Sequence, residues 1–339
     1  MINHPDGQVI LLAHGDGGAL SRELVEQVFL RHFKSEPLLP LADAALLDDS
    51  GGRLALTTDS FVVDPLFFNG GDIGKLAVCG TVNDLAVSGA VPRYLAASFM
   101  IEEGLPLATL ERVAASMAAA CAEAGVQVAA GDTKVVQRGH LDKLFITTTG
   151  VGWLPAGVEP GYHRLAAGDV VLINGFLGDH GLAVLSRRHG LELDGQIVSD
   201  CAPLNGITGA LLARCPGVKI MRDLTRGGLA TAVKEIALAA GVDFRLEEEA
   251  LPVRDVVRGA AEMLGLDPLY LANEGKFLAV VDAKEAQTAL DVLREHPLGR
   301  RTCAIGRVEA GRGNVYLQTV MGGTRLLDLL AGEPLPRIC

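Results

Sequence analysis

Apolar residues recur at helical spacing at Leu24, Val25, Val28 and Phe29, which predicts a helix over 21–34 capped by the Ser21 hydroxyl. Beyond it the pattern shifts to short apolar runs closed by acids. Residues 54–58 end in Asp59, and Val62-Val63 ends in Asp64-Pro65, so both read as strands. The small-residue stretch 74–89 predicts a helix and 93–101 a strand. Pro106 suits the first position of an Ala-rich helix that closes before Gly125. Residues 126–130 form a further strand running into Gly131-Asp132-Thr133-Lys134, and 143–152 another.

Turn formers crowd into Leu154-Pro155-Ala156-Gly157-Val158-Glu159-Pro160-Gly161, dividing the chain into domains over 1–155 and 162–330 with a mobile tail over 331–339. The second half predicts a strand over 170–173 and helices over 178–188, 203–213 and 228–240. Strands over 276–281, 303–308 and 315–319 then surround a helix over 284–295. His180 and His189 are expected on helix surfaces. Strands and helices mix in both halves, so the class is α/β (α+β).

Composition narrows the partners. At 339 residues the chain exceeds the usual limit of one core, which supports two domains. With 49% apolar and 21% charged residues it has ample material for packing, which excludes disorder. The net charge of −11 without a Lys/Arg block argues against nucleic acid or an anionic membrane as partner. No apolar run approaches the ~18–20 residues that span a bilayer. The N-terminus shows no basic leader, and cysteines 79, 121, 201, 215, 303 and 339 show neither a C-x-x-C pair nor zinc spacing. Free thiols in the cytoplasm are the expectation.

Candidate chemistry lies in short polar runs at expected element ends. His14-Gly15-Asp16-Gly17-Gly18 reads as a turn or as a phosphate-contacting loop before a helix. A P-loop is excluded, because Asn69 stands where the glycine before Gly74-Lys75 would be and Leu76 replaces the magnesium-binding hydroxyl. Asp43, Asp59, Asp84 and Asp132 fit magnesium, which takes one or two carboxylates with phosphates and water. Lys134 could neutralise phosphate charge. Asp223-Leu224-Thr225-Arg226-Gly227-Gly228 pairs charge with glycine before a helix, and Asn273-Glu274-Gly275-Lys276 offers Glu274 as a proton acceptor. The chain ends Pro336-Arg337-Ile338-Cys339, placing a nucleophilic thiol last. Six extended residues from Pro334 reach only ~20 Å, so the tail must start near the site it serves.

Together these runs resemble the AIR-synthetase (PurM-like) ATP-dependent superfamily, and within it the carbamoyl dehydratase (HypE) family of hydrogenase maturation factors. The matching stretches are 14–18, 57–95, 131–139, 223–228, 273–276 and 336–339, nearly the whole chain. One departure is that Ala42-Asp43-Ala44-Ala45 carries a single acid where the superfamily often has two, which weakens Asp43 as a ligand.

The resemblance implies a PurM-like two-domain fold whose N-terminal domains pair into a shared dimer barrel, with a C-terminal α+β sandwich. A HypF-like carbamoyltransferase would load a carbamoyl group onto Cys339. ATP would phosphorylate the carbamoyl oxygen, and elimination would leave a thiocyanate that supplies cyanide to a [NiFe]-hydrogenase iron site through a HypC–HypD scaffold. Cys339, Lys134 and Glu274 would be catalytic, with Asp59, Asp84, Asp132 and Asp43 holding Mg2+. His14, Gly15, Gly17, Gly18, Asp59, Asn83, Asp84, Gly131, Asp132, Asp223, Arg226 and Gly227 would bind nucleotide. The rivals are another PurM-like phosphoryl-transfer enzyme and an ATP-switched adaptor docking through its tail. The first cysteine is Cys79, too far along to match a selenophosphate synthetase loop.

Overall fold

The computed structural model describes residues 9–11, 14, 23–34, 53–191, 197–329 and 337–339. Gly15, Gly17, Gly18 and Asp43 lie outside them. Helical turns Val25–Leu30 and Arg31–Phe33 occupy part of the helix predicted over 21–34.

Four long strands build the first sheet: β1 (Arg53–Phe61), β4 (Val91–Glu102), β5 (Gln127–Val136) and β6 (Leu144–Leu154), in the order β1-β6-β4-β5. Strands β4 and β5 run parallel and the other pairs antiparallel. Burial alternates along β6 from Leu144 to Leu154, the mark of a sheet covered on one face. Helix α1 (Ile73–Val87) covers that face, begun by the Asp72 carboxylate accepting from the Gly74 and Lys75 amides. Thr81 and Thr148 join their hydroxyls at 2.5 Å across the contact, and the Thr148 hydroxyl donates to Ala77 O. Helix α2 (Leu107–Ala124) packs beside α1. Two short strands, β2 (Phe67–Phe68) and β3 (Gly71–Asp72), form a hairpin just before α1.

The second half holds a seven-stranded sheet: β7 (Val170–Ile173), β8 (Val218–Asp223), β9 (Asp243–Glu247), β10 (Phe277–Val281), β11 (Cys303–Glu309), β12 (Val315–Gln318) and β13 (Thr324–Leu327). Their order is β13-β12-β9-β11-β7-β10-β8. Helix α5 (Gly228–Ala240) packs into one core cluster with this sheet, while α4 (Asn205–Arg214) and α7 (Ala286–Glu295) pack into another. Helices α3 (Asp179–His189) and α6 (Asp255–Leu264) contribute instead to the cluster that contains α1 and α2. The halves therefore share a core, with α1 also touching α4 and β8.

Three expectations change. His180 is fully buried, not on a helix surface, because α3 is covered on the side where the chain end returns. Asp59 and Asp132 lie inside strands and Asp84 inside α1, not at element ends. Strands β8, β9 and β13 and helix α6 were not foreseen.

Candidate active site

Antiparallel pairing of β8 with β10 sets Asp223 opposite Phe277, so the loop after β8 and the loop before β10 lie side by side. Backbone bonds join them: Asn273 N donates to Leu224 O at 3.0 Å and Leu224 N to Lys276 O at 3.1 Å. The Asn273 amide also donates to Leu224 O and Leu271 O and accepts from Gly178 N. Gly228 has φ +57°, and a Cβ there would stand 2.5 Å from Leu271 O, so no side chain fits where α5 starts.

Asp59 and Asp84 meet between β1 and α1, and Thr57 Oγ1 donates to Asp84 Oδ2 at 2.8 Å. Burial, the Asp84 charge and a hydrogen bond to Asp84 push Asp59 up to about 6, against the pull of Arg226. Asp223 rises to about 7, first from burial and then from the Asp84 charge. A cavity of about 560 Å³ opens here, lined by Arg53, Thr57, Asp84, Tyr162, Arg222 and Asp223, a size suited to a small ligand. Crowded carboxylates are what a hard cation neutralises. Among the described residues no three His, Cys, Asp or Glu are arranged to chelate a metal alone. A cation fitting Asp59 and Asp84 would complete its coordination with phosphate oxygens and water.

Glu274 is fully buried, and its Oε1 has no hydrogen-bond partner. Burial drives its carboxyl well above the usual carboxylate range, helped by Cys201, Asp223, Asp200 and Asp59. Its backbone is fixed by Asp200, which accepts from Glu274 N at 3.1 Å and Gly275 N at 3.2 Å. Burial alone would raise Asp200, but the Lys276 ammonium 3.1 Å away and the Glu274 amide hold it below its ordinary value.

The last three residues lie against the same region. Val62 N donates to Cys339 O at 3.1 Å and Asp64 N to Arg337 O at 3.2 Å, so the chain end lines up beside residues 62–64, just past β1. Arg188 bonds both Asp64 O and Arg337 O. The Arg337 guanidinium reaches Val62 O and Asp142, with its backbone at φ +56°. Ile338 is 2% exposed, and Cys339 packs against the same core cluster.

The structure thus brings Asp59, Asp84, Asp223, Arg226 and Glu274 together. Gly227, at φ +74°, caps α5 beside them. Asn83 instead bonds Ala202, Leu204 and Glu274 backbone atoms. His14 is half-exposed and accepts from Leu11 N. Gly131, Asp132 and Lys134 do not join the group. They sit on β5, the edge strand opposite β1, and register with Ser98 and Met100 puts Asp132 and Lys134 on the face away from α1. Asp132 and Lys134 pair with each other at 3.7 Å. Sequence reasoning missed Ser199-Asp200-Cys201 and His180. The acid-cysteine run before Pro203 was the available signal.

A two-domain arrangement of this kind defines the AIR synthase related proteins, whose N-terminal domain matches residues 41–154 and C-terminal domain residues 166–318. Carbamoyl dehydratase HypE of Rhodobacter capsulatus is 51% identical over 334 residues, covering 97% of this chain and 98% of the relative. That of Escherichia coli (strain K12) is 50% identical over 335 residues, covering 97% and 99%. The chain belongs to the carbamoyl dehydratase HypE family. A crystal structure of hydrogenase maturation protein HypE in complex with ATP superposes with a TM-score of 0.94 at 49% identity, covering 97% of this chain and 99% of that one. One of a HypE–HypF complex gives 0.80 at 46% identity, covering 92% and 100%.

Proposed function

We propose that this chain dehydrates an S-carbamoyl group carried on its own Cys339 to a thiocyanate, with conversion of ATP to ADP and phosphate, in the maturation of [NiFe]-hydrogenase. The observation that carries this reading is the buried, unpartnered Oε1 of Glu274, set among Asp59 and Asp223, its loop bonded to Asp200 next to the Ser199 that holds His180 against the chain end. Its family and its likeness to an ATP-bound HypE structure support ATP as the second substrate.

The balance is R–S–C(=O)NH2 + ATP → R–S–C≡N + ADP + phosphate. An amide oxygen leaves poorly, so it is first phosphorylated; loss of the nitrogen protons then expels phosphate. Asp59 and Asp84 would hold Mg2+, which when bound neutralises phosphate charge. Glu274 takes the proton from nitrogen, its buried setting making the carboxylate a stronger base than in water. Arg226 and Asp223 orient the phosphates, and the fold excludes water around Glu274.

A second copy completes the site in this reading. The sheet face away from α1 exposes Leu54, Leu56, Val91 and Met100, the kind of patch that marks an interface. In this reading two identical four-stranded sheets close into one barrel with the β5 edge of one beside the β1 edge of the other. That sets the partner's β5, which carries Asp132 and Lys134, beside the β1 that carries Asp59, and Lys134 in this reading reaches round the strand edge to stabilise the transferring phosphoryl group. A carbamoyltransferase akin to HypF loads the thiol and a HypC–HypD-type scaffold takes the product, in the cytoplasm. Among the described residues no helix is long and apolar enough to cross a membrane.

Mass spectrometry of the C-terminal peptide after incubation with carbamoyl phosphate, the carbamoyltransferase and ATP tests this. Loss of water from carbamoylated Cys339 is expected. A carbamoyl adduct that persists with ATP present defeats the proposal, and phosphate release without any change at Cys339 favours the adaptor reading.

A further inference from the structure

His180 has no role in the chemistry above, yet it is fully buried beside the chain end. Its Nε2 lies 3.0 Å from the Ile338 carbonyl oxygen. A carbonyl can only accept, so Nε2 carries the proton. Nδ1, 2.8 Å from Ser199 Oγ, is then the acceptor and the Ser199 hydroxyl the donor. Ser199 Oγ in turn accepts from Cys201 N at 3.1 Å, so every role in the chain is fixed. Burial keeps the ring neutral against the opposing charge of Asp200. Phe68 meets it edge-on at 5.3 Å between centroids.

Three consecutive residues tie this ring to the reaction centre. Ser199 orients His180, Asp200 fixes the Glu274 loop, and Cys201 contacts Cys79 on α1. A histidine serving only to fill the core would not need a carbonyl from the chain's penultimate residue. We propose that His180, held by Ser199, is a positioning residue that latches the Ile338 carbonyl and so sets the Cys339 sulfur at the Glu274 cleft. This rests on the reading of Cys339 as the carrier of the reacting group.

The full-length protein tests it by two readouts: peptide-resolved alkylation of Cys339 by iodoacetamide, and ATP-dependent thiocyanate formation on the carbamoylated tail. His180→Phe keeps a ring but removes both hydrogen bonds. Loss of a buried bond of ordinary strength predicts alkylation about tenfold faster and thiocyanate formation about tenfold slower. ATP affinity stays within about twofold, since no nucleotide contact is involved. His180→Gln, whose amide can donate to the Ile338 carbonyl, restores most of both rates, a rescue that a space-filling role would not give. Ser199→Ala releases the tautomer and falls between. Unchanged alkylation in His180→Phe, or His180→Gln no better than His180→Phe, overturns the proposal. If His180→Phe does not fold, Ser199→Ala and Ile338→Ser decide by the same readouts, and parental rates in both overturn it. If alkylation follows the expected order but the parent makes no thiocyanate, the latch stands and the dehydratase reading falls.

Discussion

The Asn83 side chain on α1 and the Glu274 backbone are hydrogen-bonded across the two halves of the molecule. The amide donates to Glu274 O and to Ala202 O, both at 3.1 Å, and accepts from Leu204 N at 2.7 Å. Replacement by leucine leaves the Ala202 carbonyl and the Leu204 amide buried without these partners, while Glu274 O keeps only the Ala202 amide at 3.3 Å. Asn83→Leu is expected to cost about 2–4 kcal/mol in denaturant unfolding and to lower the dehydration rate, because the base loop is no longer tied to α1. Unfolding midpoints and single-turnover thiocyanate formation measure the two effects.

Gly275 has no room for a side chain: a Cβ there would lie 1.9 Å from Asp200 O, a backbone atom. Gly275→Ala must therefore move the loop that carries Glu274. A displacement near 1 Å predicts a rate loss of about 10²-fold, with ATP binding retained. Equal loss of binding and rate would show that the whole cleft had collapsed.

Glu274→Gln keeps the shape of the buried side chain but removes the carboxylate proposed as the base. The expected loss is about 10²–10⁴-fold in the chemical step. Unfolding stability should hold or rise, since the amide needs no proton to be neutral. Rate and thermal unfolding together separate a chemical role from a structural one.

The raised Asp223 gives a pH dependence with a definite sign. A carboxyl whose folded pKa is about 7 stays protonated where the unfolded chain has already released its proton near 4. Its contribution to stability is thus full at acid pH and falls as pH rises through the window from about 4 to 7. Without ATP or divalent cation, Asp223→Asn should gain on the parent across that window, by up to about 4 kcal/mol. Paired denaturant titrations at pH 5 and pH 8 measure the difference; a gap that does not grow with pH refutes it.

Complementation tests the proposal that the site is shared between two subunits. Lys134→Ala and Glu274→Gln are each expected to be nearly inactive. If Lys134 serves the neighbouring subunit, mixed dimers carry one fully intact site, and random exchange restores about a quarter of parental activity. No recovery in dimers shown to be mixed would place Lys134 on its own chain's site. If the chain pairs through the exposed sheet face as proposed, Leu56→Asp should convert dimer to monomer in sedimentation analysis.

Local pattern revealed most elements that alternate or carry clear caps, including α5 and β7 at their observed bounds. It missed β8, whose last residue Asp223 was read only as part of a helix-leading loop. It also missed α6, which lies in a stretch the pattern left unassigned. The site was half legible. Acids at the expected ends of apolar runs marked Asp59 and Asp84, and glycine-containing polar runs marked Asp223 and Glu274. Their position inside strands and a helix was hidden, since it depends on which elements pair. Lys134 next to Asp132 looked like part of the same site, yet sheet order sets them on the far edge. His180 read as a surface residue because its burial is made by the chain end, 158 positions further on.

The dock grips residues 337–339 through the carbonyl oxygens of Arg337, Ile338 and Cys339, the Arg337 guanidinium and the Ile338 side chain. A load on the Cys339 sulfur leaves these contacts in place and changes only how that side chain packs against the core. Empty thiol, carbamoyl adduct and thiocyanate are accordingly held by the same main-chain grip and differ only in the fit of the loaded sulfur. The direction of the reaction must then come from the phosphate bond cleaved in each cycle, and departure of the finished arm is left to whichever protein outcompetes the bonds to three main-chain oxygens, the Arg337 guanidinium contacts and one buried isoleucine.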